Sequence, residues 1–246
     1  MINPEKSLSK DQGEMEEAYN IDVTQFASSS EKEKATAWSN FALKHLKEMR
    51  VLKDAGLLGK ENKDWRNVTE HVLVTSALAG FLARQLRDKG CDIDPQIIES
   101  AAVLHDASKR LDVEKKVRYG TEKKEGALID LLKKFGYSKE FIENCSYTAR
   151  VPGIFLEDEK QDEAIRGKNL EYLVVAYSDA RIRNVNVVSL EEARDKNKQK
   201  APKDSDFYDK WYIFYKKVES RILREIGDIK PEDINNERVL ESLSKN

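Results

Sequence analysis

Four side chains in this sequence are of the types that bind a divalent metal, and each interrupts an apolar helical pattern. They are His71, the adjacent pair His105 and Asp106, and Asp179. On a helix, positions three, four and seven apart share a face. His71 then lies with Val68, Val74 and Leu78, and His105 with Ile98, Ala101 and Ala102. Asp106 shares a face with Ala102 and Val103, and Asp179 with Val175, Ala176 and Ile182. All four should point into the protein. A buried carboxylate costs several kcal/mol unless it is paired or ligates a metal. Two carboxylates and two imidazoles on three helices satisfy one another best around one divalent cation. That mixed N/O set suits Mn, Fe, Co, Ni or Zn more than Ca, with Mg admitted. The plainer readings are a core histidine satisfied by its neighbours, and an Asp179 paired with Arg183 one turn on. His45 is of that plainer kind, on the Phe41, Ala42 and Met49 face with no nameable partner.

The elements that must hold these residues read as helix after helix. Charged residues make up 36% of the 246, while Gly numbers only 11 and Pro 5, which favours helices with solvated outer faces. Residues 1–30 are polar and read as an N-terminal extension ending in Ser28-Ser29-Ser30. Residues 31–246 read as one helical domain. Ser30 with Glu33 and Asn67 with Glu70 form capping boxes, and Asp94-Pro95 a cap with Pro at the first helical position. The runs they open end at Gly56, Gly90 and beyond Leu104. A stretch from Glu125 ends at Gly136, and Ser138 caps a helix to about residue 149. Residues 150–167 read as irregular. A long helix then carries NLEYLVVAYSDARIR, Ser189 with Glu192 starts a short one, and 196–206 reads as a basic loop. Residues 207–226 form an amphipathic helix stopped by Gly227, with a short helix after Pro231.

Composition also excludes several classes. With 43 Lys+Arg against 45 Asp+Glu, the net charge of -2 gives no strong nucleic-acid signal. Mean hydropathy is -0.69, no stretch approaches a membrane span, and the first residues lack the apolar core of a secretory signal. The two cysteines, Cys91 and Cys145, stand far apart, which argues against a disulfide scaffold and a cysteine zinc site. A reducing cytoplasm is the simplest location.

The order H…HD…D, each member on a helix, resembles the HD-domain superfamily of metal-dependent phosphohydrolases. NVTEHVLVTSALAGFLARQL is similar to the family's first-ligand helix, AAVLHDASKR to its central motif, and YSDARIRNVNVVSLEEA to the YAD-type segment of uncharacterised members. Trp65-Arg66 and the HDAS string are similar to bacterial 5′-deoxynucleotidases of the superfamily. The resemblance covers roughly residues 35–225. It implies an all-α, HD-type helical bundle and a cytoplasmic phosphoric ester hydrolase. One divalent metal would sit on His71, His105, Asp106 and Asp179. Many members carry further histidines between the HD pair and the last Asp. Residues 107–178 hold none, so a mononuclear site is implied. Lys109 stands where the 5′-deoxynucleotidase type has an acidic residue.

In that setting Asp106 ligates the ion and helps orient water. Lys109 neutralises phosphate or protonates the leaving oxygen. Arg66 and Arg183 are substrate-binding candidates, Arg183 also as a residue orienting Asp179. Glu70, Asp112 and Glu114 are further acid–base candidates. The expected substrate is a small phosphorylated molecule, nucleotide-like, and a homodimer goes with the resemblance. The alternative is a non-catalytic HD module that binds a nucleotide or metal as a sensor.

Overall fold

The computed structural model describes residues 40–41, 43–57, 66–110, 122–154, 158–167 and 170–244. Among these there are ten α-helices and one two-stranded hairpin, so the fold is all-α. The helices are α1 Leu46–Asp54, α2 Arg66–Asp88, α3 Pro95–Leu104, α4 Glu122–Lys134 and α5 Lys139–Ile154. They continue as α6 Asp158–Gly167, α7 Leu170–Arg181, α8 Leu190–Lys200, α9 Ser205–Ile226 and α10 Asn236–Ser244. The expected N-terminal extension lies outside the described residues.

Helix α2 forms the centre. Every residue from Val72 to Ala83 is buried, enclosed by α3, α7, α9, α10 and the hairpin. A helix apolar on all sides needs neighbours on all sides. Helix α7 is the second buried rod, packed on α2, α3, α5, α8 and α9. Where α2 crosses α3, Gly80 lies so close to Glu99 that an added Cβ would fall 2.1 Å from its carboxylate and 2.5 Å from its Cγ. Glu99 is not free to move aside, because Arg84 and Lys44 both hold its carboxylate. Gly80→Ala should therefore cost about 1–3 kcal/mol through overpacking, read from the midpoint of urea unfolding.

Three of the caps expected from the sequence form. Asp94 Oδ1 accepts from Gln96 N–H at 2.8 Å, Ser138 Oγ from Phe141 N–H at 3.2 Å, and Ser189 Oγ from Glu192 N–H at 3.0 Å. At Gly56 (φ +74°) the Gly56 N–H bonds the Lys53 carbonyl and the Leu57 N–H reaches Leu52, the paired closure that needs a left-handed residue.

Four expectations are corrected. Residues 150–167 are mostly helical: α5 runs to Ile154, and α6 follows from Asp158, with Gln161 and Ile165 buried one turn apart. The basic stretch 196–206 is not a loop. Residues 196–200 complete α8, Pro202–Asp204 make a 3₁₀ turn, and α9 begins at Ser205. The run through YSDARIR stops being helical at Arg181. Ile182–Arg183 pairs antiparallel with Asn186–Val187, closed by Asn184 at φ 58°. Finally, α2 starts at Arg66, so Asn67 sits in its first turn rather than before it.

Candidate metal centre

Three elements bring the four residues together. His71 comes from the second turn of α2, His105 and Asp106 follow α3, and Asp179 comes from the last turn of α7. The HD pair is not within a helix, as its pattern had suggested. Helix α3 ends at Leu104, and residues 105–108 form a tight turn. The cause is a side chain. His105 Nδ1–H donates to the Ala102 carbonyl at 2.6 Å, the acceptor that Asp106 N–H would take in a continuing helix. The backbone then closes by shorter steps, Ala107 N–H to Leu104 and Lys109 N–H to Asp106.

That same bond fixes the histidine's chemistry. With Nδ1 tied to backbone, Nε2 is the nitrogen turned toward the cluster, the arrangement typical of an imidazole that ligates a metal once its second proton is lost. His105 Nε2 is buried and has no hydrogen-bond partner among the described residues. It faces Asp179 Oδ1 at 3.5 Å and Asp106 Oδ2 at 3.8 Å. His71 Nε2 lies 3.0 Å from the same Asp179 Oδ1, and the two imidazole rings meet edge to face at 5.6 Å. One ligating atom each from His71, His105 and Asp106 fit within 4.8 Å of one another.

Burial grades across the cluster. His105 and Asp106 are buried, whereas the side chains of His71 and Asp179 retain 18% and 39% of their exposure. All four were expected to be enclosed. Instead the cluster opens on the His71–Asp179 side, which gives a ligand a way in. The electrostatics favour a cation. Burial opposes charge on His105, yet Asp106 and Asp179 outweigh it and hold its pKa up at about 9. Burial likewise opposes ionisation of Asp106, but His105 and Lys109 hold its carboxyl below the usual range. Asp179 lies well below that range, since the neighbouring imidazoles of His105 and His71 overcome its desolvation.

Lys109 sits at the edge, its Nζ 3.3 Å from Asp106 Oδ1 and 3.2 Å from Oδ2. Arg183 is not joined to Asp179 as its helical spacing suggested, because the chain has left the helix. Its Nη1 donates to the Ile182 carbonyl at 2.6 Å, and its guanidinium lies 5.6 Å from the Trp211 ring. Burial lowers its pKa, while Asp179, Tyr215 and Tyr208 oppose that shift. Trp211 was not singled out in the sequence, where it reads as core of α9. The Arg66 and Glu70 side chains, Asp112 and Glu114 lie outside the described residues. His45 does have partners: Glu48 and Glu99, each with an oxygen 3.7 Å from one of its ring nitrogens.

No family model, no curated protein and no solved structure matches this chain. Among the described residues, no helix is long and apolar enough to cross a membrane.

Proposed function

We propose that this protein is a metal-dependent phosphohydrolase of the HD type, cleaving a phosphate ester or anhydride of a small, nucleotide-like substrate. The observation that carries the reading is the convergence of His71, His105 and Asp106, one ligating atom of each within 4.8 Å of the others, with Asp179 Oδ1 3.0 and 3.5 Å from the two imidazoles. Carboxylates gathered in this way are costly to enclose unless paired, and a bound cation would pair them. His71, His105, Asp106 and Asp179 would hold one divalent ion of the Mn, Fe, Co, Ni or Zn type, with Mg admitted. When bound, the ion would polarise a phosphoryl oxygen and acidify a water.

The chain's own residues supply the rest. Asp106 turns Oδ2 toward His105 and would orient the attacking water. Lys109 brings an ammonium to the rim, where it neutralises phosphate charge or protonates the departing oxygen. Arg183, whose charge is felt by Asp179, is the candidate second contact for phosphate. Arg66 as a contact rests on the sequence alone, as do the cytoplasmic location and the homodimer.

Metal analysis of the purified protein, with a Mn-supplemented phosphate-release screen over nucleotides, tests the reading. About one ion per chain together with released phosphate supports it. No metal under any loading condition overturns it. Metal without turnover favours the non-catalytic sensor module. Within the enzyme reading, Lys109→Met should lower kcat about 10²-fold, the scale of losing one charge-stabilising donor, while metal content stays unchanged.

A further inference from the structure

Helix α9 has two faces with different work. Trp211, Phe214, Tyr215, Val218, Ile222 and Ile226 are buried against the core. The outward face, with α6, walls a groove of about 740 Å³, within the size range of small-molecule sites. It lies on the face of α9 opposite the side chains that approach Arg183 and α7.

Cations outnumber carboxylates along the groove. Arg166, Lys216, Lys217, Arg221 and Arg224 line it, against the carboxylates of Asp162 and Glu225. In a chain of net charge -2 this is a local concentration of cations. Asp162 is shared by Lys217 at 3.0 Å and Arg166 at 3.6 Å. Arg221 has no ion pair or hydrogen bond among the described residues, and its Nη1 is shielded from water. A guanidinium without an acceptor inside the protein is open to a charge-assisted contact from a ligand.

The groove also has an apolar wall. Ile165 and Tyr212 line it, and Ile213 stands 52% exposed, the exposed large hydrophobic residue of the described chain. The wall is braced: Tyr212 O–H donates to Glu191 at 2.6 Å, and Lys216 donates to Glu219 at 2.5 Å. Bracing of this kind reduces the ordering cost of binding. Ile213, Lys217, Arg221 and Arg224 follow one another along one stripe of α9, so the apolar contact and the free guanidinium are adjacent.

We infer that this groove binds a soluble organic phosphate, with its phosphate on Arg221 and its neighbouring cations and its ring or aliphatic part on Ile213 and Tyr212. The inference is independent of the metal centre and holds whether or not the chain is a hydrolase. The test uses the full chain, stripped of metal by chelator, and a non-hydrolysable fluorescent probe, 1-naphthylmethylphosphonate. One probe should bind per chain. Arg221→Ala should weaken it at least about tenfold, the scale of one charge-assisted contact. Asp162→Asn should tighten it, a gain that a misfolded variant does not produce. Ile213→Ser should weaken the naphthyl probe and leave inorganic phosphate unaffected. No binding by wild type, equal binding by Arg221→Ala, or capture only by phosphatidylglycerol vesicles would each overturn the inference.

Discussion

On the proposed function, Asp106→Ala protein is expected to carry less than about one ion per ten chains and to release phosphate at least about 10³-fold more slowly than wild type, a barrier rise of roughly 4 kcal/mol. The reasoning starts from charge. The cluster has two carboxylates, and Asp106 is the buried one. Without it, two imidazoles and one partly exposed carboxylate remain, and their attraction for a divalent cation falls steeply. Asp106→Asn separates this role from a structural one. The amide keeps the shape and still accepts a hydrogen bond from Lys109 Nζ, which lies 3.3 Å from Oδ1 in wild type. A cluster that only braced the fold would lose stability with the carboxylate's charge and would have no ion content to change. A metal centre would lose its ion almost as fully as in the alanine variant. Elemental analysis of both variants beside wild type reads the difference directly.

The second large effect concerns stability. Arg181→Met is expected to cost about 3–5 kcal/mol, because several buried acceptors lose their donor together. Arg181 Nε donates to the Val188 carbonyl, and Nη1 to Tyr177 Oη at 2.6 Å and Glu219 Oε2 at 3.3 Å. Nη2 donates to the carbonyls of Ile234 at 2.9 Å and Pro231 at 3.3 Å. One guanidinium thus ties α7 to the strand hairpin, α9 and the turn before α10. Methionine keeps the stem's packing and removes every donor. At about 2–4 °C per kcal/mol for a chain of this size, Tm should fall by roughly 10 °C. Arg181→Lys keeps the charge but cannot span those acceptors, and should recover only part of the loss. Differential scanning calorimetry of both variants checks the order.

Much of this was legible in the sequence wherever a side chain contradicted its surroundings. His105 and Asp106 interrupt the apolar run from Ile97 to Leu104, and the structure buries both. Gly56, Gly90, Gly136 and Gly227 end helices where they were expected to, each with φ between 73° and 90°. The turn at 105–108 was not legible. Ala107, Ser108, Lys109 and Arg110 are all compatible with a helix, and only capture of a backbone carbonyl by the His105 ring breaks it. Helix α6 was hidden for the opposite reason: among charged residues, its contact with the core rests on Gln161 and Ile165. Arg181 and Glu219 carried a signal that went unused. Each is a charge on an apolar face, Arg181 with Val174 and Tyr177, Glu219 with Tyr215 and Ile222. The test applied to His and Asp would have found them.

The burial of α2 bears on how the protein opens. An amide at the middle of a helix enclosed on every side exchanges its hydrogen with solvent only when the whole structure comes apart. The amides between about Ser76 and Leu82 should therefore be the slowest to exchange, and their common rate reports the global unfolding free energy. His71 lies one turn toward solvent from that protected segment. Thermal fluctuations that loosen the His–Asp cluster can thus be confined to the end of the rod, while its middle keeps the memory of the fold.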